Sequence, residues 1–322
     1  MSKEHDIRYT KVVIGHCDLF LLPSFMKDGF IYKFIYSFHM PLFMLLSGYL
    51  SISICKKTII EIIDQKFKRL IVPSIAGTLL SCFILSVNFA FILNEYWYLK
   101  CLFVCSVSYG ICYHLTRKFY FSHIILFLLL LLVPFCSLWN IVYMYPFFAI
   151  GMIMRKHEFM EKFDKQLWKN KMVITVIFVS AYLILFSEWS GGMSHDYSRF
   201  KLLYVYRDNY LYDAYCFIYR VIIGIIASCA LYCLIKSIYN NLIMIILQFL
   251  GRNSIGVYLI HAYLITLLSD LVIGFPIPRA TIIILVATII VVASVIVTYI
   301  QLLYLQPVIT QYFVSYKSEI WA

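Results

Sequence analysis

Three histidines and a carboxylate stand inside long apolar stretches of this 322-residue chain: His16 with Asp18, then His39, then His261. An imidazole titrates near neutral pH, and one oriented by a carboxylate is equipped to take a proton from a hydroxyl nucleophile. Ionisable groups in a bilayer cost several kcal/mol unless they face a cavity or a partner, so each of these is a candidate for catalysis. The ordinary alternative for any one of them is a helix-to-helix hydrogen bond. Asp18 lies two residues from His16 and therefore points to a different face of a helix, where neighbours are three or four apart.

A second cluster is cationic. Lys66, Lys68 and Arg69 precede Pro73 in the run Lys66-Phe-Lys-Arg-Leu-Ile-Val-Pro73. Such cations grip the phosphates of a soluble nucleotide cofactor, Arg as a bidentate fork and Lys as a point charge. Anchoring beside anionic lipid is the competing explanation. Taken together, the two clusters imply an anionic donor bound on one side and a proton acceptor deeper toward the other. Ser47 beside Gly48, and Ser254 near Gly256, are small residues suited to close packing or to contact with a substrate. Trp97, between Tyr96 and Tyr98, suits an aromatic belt at an outer boundary or a stack on a sugar ring. No Gly-x-Ser-x-Gly elbow, Walker loop or His-Glu-x-x-His site occurs. The ten cysteines, among them Cys101 with Cys105 and Cys229 with Cys233, show no zinc or disulfide spacing, so no metal is expected.

The elements that must carry these residues follow from composition. The chain is 63% hydrophobic, 18% aromatic and only 13% charged, against about 45–50% apolar and about 25% charged in soluble domains. This excludes nucleic-acid binders, secreted disulfide scaffolds and disordered tails, and reads as an integral membrane protein. Apolar runs at 8–25, 34–54, 70–93, 97–115, 119–138, 140–154, 171–188, 213–236, 246–268 and 280–304 predict an all-α bundle of about ten transmembrane helices. The run at 8–25 is short for a crossing, and so is that at 140–154. Met1 to Thr10 is polar and does not read as a removable signal peptide.

The net charge of +11 is a matter of topology. Eighteen Lys and Arg fall on the side of both termini and eight on the other, which places both termini in the cytoplasm. On that topology His39 is about one and a half turns below the outer surface and His261 is about 22 Å up from the inner one. His16 and Asp18 also fall in the outer half. No internal repeat divides the chain, so residues 1–322 read as one membrane domain.

At these residues the chain resembles the acyltransferase 3 family, multi-spanning membrane enzymes that acylate surface glycans, lipids and small acceptors. The most specific match is Ser37-Phe-His-Met-Pro-Leu-Phe-Met-Leu-Leu-Ser-Gly-Tyr-Leu50. Val12-Val-Ile-Gly-His16, Lys66 to Pro73, Tyr96 to Phe103, Pro146-Phe-Phe-Ala-Ile-Gly151 and Gly251 to His261 follow the family's order. The resemblance implies transfer of an acyl group, most often acetyl from acetyl-coenzyme A, to a carbohydrate hydroxyl. It implies that His16 activates the acceptor or carries the acyl group, and that Lys66, Lys68 and Arg69 hold coenzyme A phosphates. One departure is that the basic residue usual eleven positions before the histidine is here His5, with Arg8 and Lys11 as the nearest cations.

The resulting expectation is an O-acetyltransferase of the cytoplasmic membrane acting on a surface polysaccharide or its lipid-linked precursor, with acetyl-coenzyme A as donor and membrane lipids around it. His16 is its base, with Asp18 and His39 beside it in the chemistry. Trp97, Ser47, Ser254 and His261 are acceptor-side candidates. A polytopic glycan transporter or flippase, with the histidines as polar lining, is the alternative. A non-catalytic partner in glycan export is a third.

Overall fold

The computed structural model describes residues 30–85, 96–132, 140–189, 210–237 and 258. The chain divides into two compact units, one of Ser24–Tyr239 and one of Met1–Pro23 with Asn240–Ala322, and every described helix belongs to the first. In chain order these are α1 (Phe30–Tyr49), a 3-10 turn (Ile52–Lys56), α2 (Ile59–Lys66), a π-turn (Phe67–Ile71), α3 (Val72–Leu85) and α4 (Trp97–Thr116). They continue as α5 (Phe119–Leu132), α6 (Ile141–Lys156), α7 (Phe159–Asp164), α8 (Trp168–Ser187) and α9 (Tyr210–Ser237). All regular structure among the described residues is helical. Lys33–Lys56, Trp97–Thr116, Trp168–Ser187 and Leu211–Ser237 are long and apolar enough to cross a membrane, with Phe119–Leu132 a shorter apolar helix.

Polar contacts at one end fix the relative directions. Tyr49, at the close of α1, donates to Glu161 Oε2 of α7 at 2.7 Å, and Arg155, at the close of α6, donates to Tyr49 Oη at 3.1 Å and pairs with Glu161. Lys236, at the close of α9, pairs with Asp164 of α7 at 2.8 Å. Three helices thus finish at one level, while α8 starts there, its Lys171 donating to the Asp164 carbonyl at 2.8 Å. Helix α5 also starts there, with Lys156 Nζ 4.2 Å over the Phe119 ring. These directions are the alternation expected for the segments at 34–54, 119–138, 140–154, 171–188 and 213–236. The cations of residues 55–69 and 155–171 gather at this shared level, which is therefore the basic end.

Helix α1 is the centre of the unit, packed between α6 and α9, with α8 against α9 and touching α1 through Tyr182 and Phe186. Its approach to α6 rests on two glycines. A methyl group at Gly48 would collide with the Phe148 carbonyl, and one at Gly151 with the Leu45 carbonyl. Small residues allow this backbone contact where lipid leaves little hydrophobic drive between helices. Met44, Leu45, Phe147, Phe148 and Met152 fill the seam. On α8 the opposite face is bare: Val173, Val176, Ile177, Leu183 and Ile184 are exposed at helical spacing, a stripe suited to lipid.

Candidate functional site

The basic end is built around α2. Thr58 caps it in a reciprocal box, its Oγ1 accepting from Glu61 N–H at 3.3 Å and its own N–H donating to Glu61 Oε2 at 2.8 Å. Beyond Lys66 the chain widens into the π-turn, with Val72 N–H reaching the Phe67 carbonyl, and returns to α-helix at Val72, just before Pro73. Proline has no N–H for the carbonyl four residues back, so the irregular turn falls where the regular ladder would break anyway.

Between α2, the π-turn and the end of α1 lies a pocket of about 100 Å³ whose lining includes Leu50, Ile54, Lys57, Gln65, Lys66 and Arg69. It is several times larger than the about 10–15 Å³ one water needs. Its lining holds three cations and no carboxylate. Lys57 Nζ donates to Gln65 Oε1, and Lys66 Nζ donates to Ser51 Oγ at 3.1 Å. The Lys66 amine is pushed down to about 8, by burial first and then by the like charges of Arg69 and Lys57. An anion bound here would offset both penalties.

Of the three expected phosphate-binding residues, the structure brings Lys66 and Arg69 together and leaves Lys68 apart. Lys68 pairs with Asp64 one turn earlier at 2.7 Å, on an exposed face. Residues three apart share a helix face and residues two apart do not, so the spacing of 66, 68 and 69 already contained this division. Lys57 is the pocket cation that motif reading missed. It stands nine residues earlier, across a turn, and only the fold makes it a neighbour.

His39 lies near the middle of α1 and is buried. The helix begins at Phe30, and Lys33 is accommodated in its first turn. The stretch long and apolar enough to cross a membrane begins at Lys33, six residues before His39. Its Nδ1–H donates to the Ile35 carbonyl at 2.7 Å and its ring meets the Tyr36 edge at 4.9 Å. A donating Nδ1 leaves the lone pair on Nε2, the tautomer a proton acceptor needs. Beside it Arg220, counted from sequence as an outer-side cation, is only 3% exposed inside α9. Its Nη2 donates to the Tyr36 carbonyl at 3.0 Å, and its guanidinium lies 4.9 Å over Trp189 and 5.3 Å over Tyr143. An arginine seven residues past Asp213 in an apolar run was the available signal.

Ser47 Oγ shares a 2.8 Å hydrogen bond with Tyr98 Oη, so the first turn of α4 meets α1 near its basic end. The Tyr98 hydroxyl thus turns inward to α1, while Tyr96 is buried and Trp97 is half-buried, edge-on to Tyr98 at 6.3 Å. Arg8, Lys11, His16, Asp18, Ser254 and His261 lie outside the described residues.

Residues 11–301 match the sequence profile of an acyltransferase domain, the acyltransferase 3 family. The chain is also similar to nodulation protein NolL of Mesorhizobium japonicum, 25% identical over 225 residues. That stretch is 62% of this chain and 58% of the relative, so the chain spans a little over half the length of the curated relative it matches. No solved structure matches. The profile runs through both units and through each motif described above, and the chain belongs to the acyltransferase 3 family of membrane acyltransferases.

Proposed function

We propose that the protein transfers an acetyl group from acetyl-coenzyme A to a hydroxyl of a cell-surface polysaccharide or its lipid-linked precursor, in the cytoplasmic membrane. The observation that carries the donor is the pocket of Lys57, Lys66 and Arg69 without a carboxylate, whose chemistry suits the phosphates of coenzyme A. Under the positive-inside rule the basic end is cytoplasmic, where a soluble nucleotide donor is available. His16 takes the proton of the acceptor hydroxyl as its oxygen bonds the acetyl carbon and the thioester C–S bond breaks. The departing thiolate takes up the proton. His39, with its lone pair on Nε2, acts on the acceptor side, and Asp18, Ser47, Trp97, Ser254 and His261 are the remaining polar and aromatic candidates there. Membrane lipid surrounds the bundle, and no metal or nucleic acid is invoked. The whole chain, 1–322, acts as one catalytic domain.

The test is the O-acetyl content of the surface polysaccharide by proton NMR, in cells with the gene intact, deleted, and restored as His16→Ala. Acetyl signals should vanish on deletion and stay absent with His16→Ala at normal expression. Unchanged acetylation with less polysaccharide at the surface would favour transport instead. Unchanged acetylation with an unchanged amount would remove the polysaccharide as acceptor.

A further inference from the structure

At the basic end Lys68, Arg155 and Lys236 each meet a carboxylate, and Lys57, Lys66 and Arg69 share the pocket. Arg117, Lys118 and Lys156 do neither. All three are exposed, and none pairs with a carboxylate among the described residues. The chain brings them together at a turn. Arg117 and Lys118 form the two-residue link between α4 and α5, with Arg117 at a φ of 56°. Its N–H donates to the Tyr113 carbonyl at 2.8 Å, and the Lys118 carbonyl accepts from Ser122 Oγ at 2.6 Å, so the backbone under both cations is held. Lys156 arrives from the end of α6, its ammonium 4.2 Å over the Phe119 ring and 4.1 Å over the Tyr120 ring. Tyr120 Oη in turn shares a 2.6 Å hydrogen bond with His157 Nε2. The two rings hold the Lys156 ammonium in place without neutralising it.

A second feature continues from this cluster into the membrane. Phe121, Ile124, Leu128 and Leu132 recur at helical spacing along α5, and each is about half exposed. From 121 to 132 the helix rises about 16 Å, close to one leaflet of a hydrocarbon core about 30 Å thick. From this juxtaposition we infer that the α4–α5 turn and the open face of α5 form a binding site for one anionic phospholipid. Its phosphate is held by Arg117, Lys118 and Lys156, and an acyl chain lies along Phe121, Ile124, Leu128 and Leu132. The ligand is selected at both ends. Cations without a carboxylate attract an anionic headgroup, Arg as a fork and Lys as a point charge. A zwitterionic headgroup would bring a further cation among three. A soluble phosphate would use the cations and leave the apolar stripe unused, whereas a lipid uses both. The site shares no residue with the donor pocket or the acceptor candidates, so it stands independently of the acetyl-transfer reading.

The test delivers phosphatidylglycerol and phosphatidylcholine of equal chain length, in equal amounts, to the full chain in neutral detergent micelles, and counts retained lipid by native mass spectrometry. The wild type should retain one phosphatidylglycerol with a preference of about tenfold or more over phosphatidylcholine. The preference should fall about fivefold for each lost charge, the leaflet attraction of one cation, in Lys156→Gln and in the double variant Arg117→Gln/Lys118→Gln. The control Lys162→Gln/Lys165→Gln removes the same charge from α7 at the same end and should keep the wild-type preference. Because the readout is a ratio of two lipids on one protein, a loss of yield does not imitate it. Equal retention of both lipids by the wild type overturns the inference, as does an unchanged preference in Arg117→Gln/Lys118→Gln. An equal loss in the α7 control also overturns it, since that marks general attraction to a positive surface. So does displacement of the lipid by inorganic phosphate beyond the effect of chloride at the same ionic strength, which marks a phosphate site without a lipid chain.

Discussion

Lys66 and Lys68 stand two residues apart and meet opposite conditions, one turned into a cationic pocket, the other neutralised by Asp64 at 2.7 Å in the open. Their substitution should separate them. Lys68→Ala should change coenzyme A affinity less than twofold, because an exposed pair contributes about 0–1 kcal/mol. Lys66 adds a pH signature. Its amine is lowered to about 8 from an ordinary 10.5, so at pH 7 it is charged and an anion would raise its pKa again. Affinity is then full below about pH 8 and declines as pH rises through it, reaching about tenfold weaker at pH 9 than at pH 7. Titrating coenzyme A binding from pH 7 to 9.5 checks this, and Lys66→Arg should remove the decline. The same shift acts on folding with a fixed sign. The unfolded chain binds more protons between pH 8 and 10.5, so the cost of burying this amine is relieved as pH rises across that window. Arg220 gives a different residue-scale expectation. Losing its charge-assisted bond to the Tyr36 carbonyl in Arg220→Ala should cost about 1.5–3 kcal/mol, read as a lowered thermal midpoint in detergent with partial recovery in Arg220→Lys.

At the scale of elements, two of the family-like runs turn out to be the two sides of one contact. Ser37 to Leu50 forms most of α1 and Pro146 to Gly151 lies in α6, and Gly48 and Gly151 let the two backbones touch. Neither neighbour of these glycines is a flexible side-chain tip, since the colliding atoms are backbone carbonyls. Gly48→Ala and Gly151→Ala should therefore each destabilise by about 1–3 kcal/mol, the usual penalty of overpacking. Size-exclusion profiles and thermal midpoints in detergent measure it, and wild-type midpoints in both would refute the close seam. Ser47, beside Gly48, is free of that seam and turns to Tyr98. Small residues at adjacent positions thus do different jobs, one admitting a helix and one presenting a hydroxyl. Their types announced a tight place in the sequence, but a helix rotates about 100° per residue, and which of the two faced the partner depended on where that partner lay.

At the scale of the molecule, the charge asymmetry predicts an orientation that reporters can read. Fluorescent protein fused after residue 165 should fold and glow, and alkaline phosphatase there should be silent. Fusions after residue 195, in the stretch between α8 and α9, should behave the other way round. Activity of both reporters on the same side would overturn the assignment of the basic end to the cytoplasm. Composition and run length determined the helical membrane class and the position of α1, α4, α5, α6, α8 and α9, and contiguous motifs carried the family resemblance, because each of these is local in the chain. The relative directions of α1, α5, α6, α8 and α9 also followed, since successive crossings must alternate. Tertiary structure decided the rest. It brought Lys57 and Lys66 together with Arg69 around one pocket, buried His39 inside α1, buried Arg220 between Trp189 and Tyr143, and joined Tyr98 to Ser47. Each of these joins residues distant in the chain or differing by rotation about a helix axis, and such relations are settled only when the helices pack.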